Sequence, residues 1–195
     1  DFGGRPLLLR TVEFFTKRQE VLEILVAGPP ATLDEFKDKF GPALSFHGVK
    51  IVAGGRTHRW ETVKEALKGI SVNVDRIAVH AAARPAITNA LFDRLLLASG
   101  SFDAVAAALP VSGTMKRVQL ETTTIGDDDA IADSILGEST QAKVTAYLVK
   151  ETIDRDNLWE LQTPQIFETS LLQRAYDQQN LSGMTDDAEV VEKLG

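Results

Sequence analysis

The sequence contains no cysteine, which excludes a disulfide framework and a thiolate zinc site and suits a reducing cytoplasm, the expected location. Its three histidines, His47, His58 and His80, stand apart from one another and give no histidine metal cluster. No apolar stretch approaches the ~20 residues that a membrane-spanning helix needs, and no signal-peptide pattern is visible. Positive charge is in deficit: 21 Lys and Arg against 28 Asp and Glu give a net charge of -7. That argues against a general nucleic-acid surface while leaving room for a local basic pocket. Neither G-x-x-x-x-G-K-[ST] nor G-x-G-x-x-G occurs, so a P-loop and a dinucleotide fold lack support. There is no internal repeat and no linker rich in Pro, Gly or Ser, so 195 residues are expected to form one domain.

What is present is organised around residues 76–85, Arg-Ile-Ala-Val-His-Ala-Ala-Ala-Arg-Pro. Ile77 to Val79 predict a strand buried on both faces of a sheet. Three alanines then leave the sheet with little bulk, Arg84 sets a forked cation beyond the strand, and Pro85 fixes the turn. Thr88 predicts an N-cap for a helix over 89–98. Ahead of this stretch, Pro6 opens a helix, residues 21–27 and 49–53 read as strands, and residues 61–68 as a helix. Thr32 to Glu35 have capping-box spacing, predicting a helix to about Phe40 that Gly41-Pro42 ends. Strand and helix alternate through residue 111, which argues for a mostly parallel sheet covered by helices on both faces.

The alternation breaks after Thr114-Met115-Lys116-Arg117. Residues 121–141, with three threonines in a row and the run Asp127, Asp128, Asp129, read as a mobile excursion, and the aspartates are open to a metal-site reading. Residues 143–153 alternate and are rich in β-branched side chains, predicting a strand in a projecting arm. Residues 163–167 read as a compact turn, and helices are expected over 168–179 and 186–194, the second capped by Thr185.

Single motifs leave alternatives open. Gly54-Gly55 at a strand end either cradles a nucleotide through backbone N–H groups or makes a plain strand-to-helix turn. His80 is either a base or a structural histidine bonded to backbone. Arg84 either pairs with a carboxylate or binds an anion, since an unpaired buried charge is costly. Thr114 with Lys116 and Arg117 is either a ligand site or the start of a solvated hairpin, and Asp154-Arg155 is open to a surface ion pair.

Taken in order, the segments GGRPLLLRTVEFF (3–15), VAGG…ETV (52–63), VHAAARP (79–85), LPVSGTMKR (109–117), ETIDRDNLWELQTPQIF (151–167) and MTDDAEVVE (184–192) resemble the 2-C-methyl-D-erythritol 4-phosphate cytidylyltransferases of the non-mevalonate isoprenoid pathway. The resemblance implies a Rossmann-like α/β fold with a projecting β-arm for dimerisation. It implies attack of a polyol phosphate oxygen on the α-phosphorus of CTP, with Mg²⁺ or another divalent cation on the triphosphate. Such chemistry rests on positioning and charge neutralisation. By the same resemblance Gly54, Gly55, Thr62, Ala82 and Ala83 correspond to the cytidine-recognition segment. Ala81, Arg84, Thr114, Arg155, Thr163 and Thr185 correspond to groups around the polyol phosphate, and Arg155 to the catalytic arginine that positions the attacking phosphate. A homodimer is implied in which an arm, residues 112–157 here, crosses to the partner.

Several features depart from the family pattern. The glycine-rich loop expected before this segment and the closing C-terminal strand are not in the sequence, which is therefore expected to be a truncated domain. The family's H-D-A-A-R-P reads His80-Ala81-Ala82-Ala83-Arg84-Pro85, and the aspartate usual before Thr114 is Gly113. Residues 121–141 lengthen the arm region. Two further readings therefore stand beside the first: a ribitol- or other polyol-phosphate cytidylyltransferase, and a CTP-binding homologue with impaired or no catalysis. A plain dimerisation module predicts no CTP binding at all.

Overall fold

The computed structural model describes residues 3–125 and 144–195. The chain divides into two compact units, Asp1–Ala108 with Leu161–Gly195, and Leu109–Glu160.

The first unit alternates helix and strand in an α/β arrangement. Helix α1 (Leu7–Thr16) starts after Pro6, whose fixed φ suits a helix entry. Strands β1 (Leu25–Gly28) and β2 (Lys50–Ala53) pair in parallel, joined by α2 (Leu33–Phe46). Helix α3 (Arg59–Leu67) leads to β3 (Arg76–Val79), and α4 (Asn89–Ser99) to β4 (Ala104–Pro110). The late strand β7 (Trp159–Glu168) enters between β3 and β4 and runs antiparallel to β3. Helices α5 (Thr169–Tyr176) and α6 (Asp187–Glu192) close the chain. In the second unit β5 (Met115–Ile125) and β6 (Val144–Ile153) form an antiparallel ribbon with register shifts.

Neighbouring residues of β7 show how the helices are layered. Phe167 belongs to a cluster with Leu172, Tyr176 and Val190 from α5 and α6, whereas Ile166 packs with Phe92 and Leu95 of α4. Successive side chains of a strand point to opposite faces, so helices cover both sides of this sheet. A third cluster, Val12, Val26, Leu44 and Val49, seals α1 and α2 onto β1 and β2.

Several sequence expectations are corrected. Residues 163–167 are strand rather than turn: Gln165, Ile166 and Phe167 are buried together, which erases the alternation that marks a half-exposed strand. Strand β3 is not buried on both faces: Ala78 is exposed and its neighbours are only half-buried. Helix α2 continues through Pro42 to Phe46. Gly41 has no Cβ to clash with the proline ring, and Leu44, fully buried, anchors the last turn. Thr32 makes no side-chain cap, since a 3-10 turn, Pro30–Thr32, leads into the helix instead. Asp186 rather than Thr185 caps α6, its Oδ1 accepting from Glu189 N–H at 2.8 Å. Thr88 does cap α4, with Oγ1 accepting from Leu91 N–H at 3.2 Å. Thr122, Thr123 and Thr124 lie in β5 rather than in an excursion, as β-branched residues favour. The aspartate run Asp127 to Asp129 lies outside the described residues.

Candidate active site

The glycine segment follows β2 directly. Gly54 N–H donates to Gly28 O at 2.8 Å, tying the ends of the two parallel strands together. Gly55 has no room for a side chain: a Cβ there would lie 2.3 Å from Glu61 Cβ and 2.7 Å from Thr62 N. Its N–H donates to Thr62 Oγ1 at 3.0 Å, so Thr62 on α3 fixes the turn. The Glu61 carboxylate accepts from the N–H groups of Arg56, Thr57 and His58 at 3.0, 2.9 and 3.3 Å. The Thr57 N–H, with those of His58 and Arg56, holds that carboxyl below its usual range. Residues 54–62 are thus a stiff loop wrapped on the start of α3.

The second group lies at the carboxyl end of β3. Ala81 N–H donates to Thr163 Oγ1 at 3.2 Å, bringing together two of the residues assigned to the polyol phosphate. Arg84 N–H donates to Ala81 O at 3.0 Å and closes a turn that leaves Ala82 and Ala83 exposed. Thr11 Oγ1 donates to Ala82 O at 2.7 Å, pinning this turn to α1. The Arg84 guanidinium is exposed and donates to Gln162 Oε1, a neutral acceptor that leaves its charge available to an anion. His80 is structural: its Nε2 lies 3.0 Å from Arg84 O and its ring packs edge-on to Phe15. Burial pushes its imidazole below the ordinary value; the contact with Arg84 O opposes this and the Arg84 charge adds to it. The ring is therefore neutral at pH 7, with Nε2–H donating to the carbonyl.

Thr185 joins the two groups through its neighbours. Its N–H and hydroxyl both donate to Glu189 Oε2, at 2.7 and 2.9 Å. Asp186 Oδ2 accepts from Gln165 Nε2 at 3.2 Å, on the strand that carries Thr163. Asp187 pairs with Arg59 at the start of α3. Thr114 and Arg155 belong to the second unit, where the Arg155 guanidinium donates to Ser112 O. The surface pair considered for Asp154 is replaced by a local turn, its Oδ1 accepting from Asp156 N–H at 3.0 Å. Thr11, Gln162, Gln165 and Arg59 were not singled out by sequence reasoning. Thr11, Gln162 and Gln165 lie inside the quoted motifs and Arg59 in the gap of VAGG…ETV, which is the signal that could have found them.

The family model described as 2-C-methyl-D-erythritol 4-phosphate cytidylyltransferase matches residues 1–134 and 129–195. A curated protein of that name from Neisseria gonorrhoeae (strain NCCP11945) is 32% identical over 202 residues, covering 100% of this chain and 75% of its own length. The crystal structure of the enzyme of that name from Thermus thermophilus superposes with a TM-score of 0.71 at 26% identity, covering 100% of this chain and 77% of its own. A 4-diphosphocytidyl-2C-methyl-D-erythritol synthase from Anaerococcus prevotii gives 0.72 at 25% identity, with 100% and 74% covered. With its glycine turn, its arginine turn and Thr185 linked through their neighbours, and matched along its whole length, this chain belongs to the 2-C-methyl-D-erythritol 4-phosphate cytidylyltransferase family.

Proposed function

We propose that this chain transfers the cytidylyl group of CTP to 2-C-methyl-D-erythritol 4-phosphate. A phosphate oxygen of the polyol attacks the α-phosphorus, the bond to the β-phosphate breaks, and pyrophosphate leaves with the electron pair. The observation that carries the reading is the exposed Arg84 guanidinium, bonded to the neutral amide of Gln162, in the turn at the end of β3 where Ala81 N–H meets Thr163 Oγ1. Ligands of α/β sheets sit outside such carboxyl ends. In this reading cytidine lies against the glycine turn at 54–55, whose N–H groups are already spent on Gly28 O and Thr62 Oγ1, and against the exposed residues Ala82 and Ala83. In the proposed homodimer Arg84, Thr163 and Thr185 hold the polyol phosphate, and the arm of the second copy brings its own Thr114 and Arg155.

The family also implies a divalent cation. Among the described residues no group of three or more His, Asp or Glu side chains could hold one, and position 81 offers a methyl group. The described side chains do not form a cation site of their own, so no step is derived through the ion. Mg²⁺ is proposed only as a companion of the CTP triphosphate.

We further propose a homodimer through β5 and β6 and a cytoplasmic location. Tyr147, Leu148 and Val149 are consecutive and 58%, 54% and 60% exposed, so the ribbon shows apolar side chains on both faces. A two-stranded ribbon gains little by itself in water, and such surface marks an interaction site. Among the described residues no helix is long and apolar enough to cross a membrane.

Pyrophosphate release from CTP with 2-C-methyl-D-erythritol 4-phosphate, compared with ribitol 5-phosphate, tests the proposal. Release with the methylerythritol substrate is expected to exceed that with ribitol phosphate, and the reverse order would transfer the reading to a polyol-phosphate relative. Arg155→Lys should lower turnover while CTP binding changes little, because lysine keeps the charge and loses the bidentate fork. Unchanged turnover would remove Arg155 from the catalytic role.

A further inference from the structure

Asp187 is fully buried and is held on both oxygens. Its Oδ2 accepts from Arg59 Nη2, and its Oδ1 accepts from the Tyr176 hydroxyl at 2.5 Å. Burial, and then the Asp187 charge and hydrogen bond, push the Tyr176 hydroxyl well above its ordinary range, so it stays a donor. Arg59 reaches inward from the rim, with its side chain 42% exposed.

An ion pair whose carboxylate is buried is a poor way to glue two helices. Desolvation offsets most of the Coulomb gain, and an apolar pair of similar volume commonly holds as well. What the charged contact adds is a fixed, directional geometry. Its position gives that geometry a use. Arg59 is the first residue of α3, directly after the glycine loop, and Asp187 is the first residue of α6, two residues beyond Thr185. Gln165 holds the adjacent Asp186 from β7, so Thr185 is fixed from two directions.

We infer that Arg59 and Asp187 are positioning residues that set the separation between the cytidine loop and Thr185, so that the two substrates meet at reacting distance. The inference rests on the proposed function. Neither side chain needs to touch a substrate. A misplacement of about 1 Å at a reacting centre costs on the order of 10²-fold, so a small change in this contact has a measurable effect.

The test is calorimetric. Dissociation constants are measured for CTP and, in the presence of a non-hydrolysable CTP analogue, for 2-C-methyl-D-erythritol 4-phosphate. Melting temperatures are taken alongside. Arg59→Lys, which keeps the buried carboxylate neutralised but shortens and unforks its partner, should weaken polyol phosphate binding about tenfold and change CTP binding less than about twofold. Asp187→Asn should act in the same direction. Tyr176→Phe keeps the ion pair and should lower the melting temperature with both constants at parental values. If Arg59→Lys melts lower but binds both ligands as the parent does, the contact is structural only and the inference is wrong. It is equally wrong if Tyr176→Phe weakens polyol phosphate binding as much as Arg59→Lys. Should Asp187→Asn fail to fold, Arg59→Lys decides. A parent that binds neither ligand overturns the proposed function and this inference together, whereas a parent that binds both while Arg59→Lys matches it overturns the inference alone.

Discussion

The backbone at Ala81 is already committed. Its N–H is bonded to Thr163 and its carbonyl to the Arg84 N–H, so a substitution there changes little beyond the side chain. The family pattern noted above puts a carboxylate here, next to the groups assigned to the polyol phosphate. Ala81→Asp is therefore expected to raise pyrophosphate release by about 10²–10³, the usual scale for one preorganised transition-state contact. The melting temperature should hardly move, and equal rates in parent and variant would mean that the side chain at position 81 does not limit turnover. Gly55 predicts the opposite pattern. A methyl group there collides with Glu61 Cβ and the Thr62 backbone, so Gly55→Ala should cost about 1–3 kcal/mol by overpacking. Because the same turn is the proposed cytidine cradle, CTP affinity should fall with the melting temperature. A variant that melts lower but binds CTP normally would take Gly55 out of the cradle. These residues were legible from sequence because their types are unusual in place: a glycine pair at a strand end, and an arginine after three alanines. Thr11 and Gln162 lie inside quoted motifs, but their roles were not legible: they act as neutral hydrogen-bonding partners, on the Ala82 carbonyl and the Arg84 guanidinium, across 71 and 78 residues of sequence, and no local pattern predicts those pairings.

Among the elements, β1 and β2 show how a parallel pair is tied at its start. Glu23, two residues before β1, accepts from Lys50 Nζ at 2.5 Å, from the Ser71 hydroxyl at 2.6 Å and from Ser71 N–H at 2.9 Å. The Lys50 contact first, and then both Ser71 bonds, lower the Glu23 carboxyl from 4.5 to about 2. A carboxyl lowered on folding contributes stability that is present above its unfolded pKa and is lost as pH falls through its folded value. The contribution of Glu23 should therefore disappear between pH 4.5 and about 2. Glu23→Gln should flatten the stability-against-pH curve in that window when unfolding is followed by denaturant titration. An unchanged curve would mean that Lys50 and Ser71 do not hold the carboxylate in solution. Element types were legible wherever one face is apolar and the other polar, as in α1 and α4. They were lost where tertiary burial overrides local signals: Pro42 inside α2, and β7, whose fully buried end has no period to read.

At the scale of the molecule, the proposed arm-mediated dimer makes a direct prediction. Sedimentation at micromolar concentration should give about twice the 21.3 kDa chain mass, and Leu148→Asp together with Tyr147→Ser should return it to the monomer with the first unit still folded. A parent that sediments as a monomer would count against the arm. Among the described residues, the three buried clusters draw all their members from outside residues 109–160. The two units therefore answer to different constraints as the sequence drifts. A change in the clusters is judged once, by the volume of its own neighbours. In a two-fold dimer a change in the ribbon is presented twice, because an isologous surface meets its own copy. One lost methyl group then counts double, and one added charge faces its own image, so the ribbon and its copy must evolve as a matched pair while the first unit accumulates changes singly.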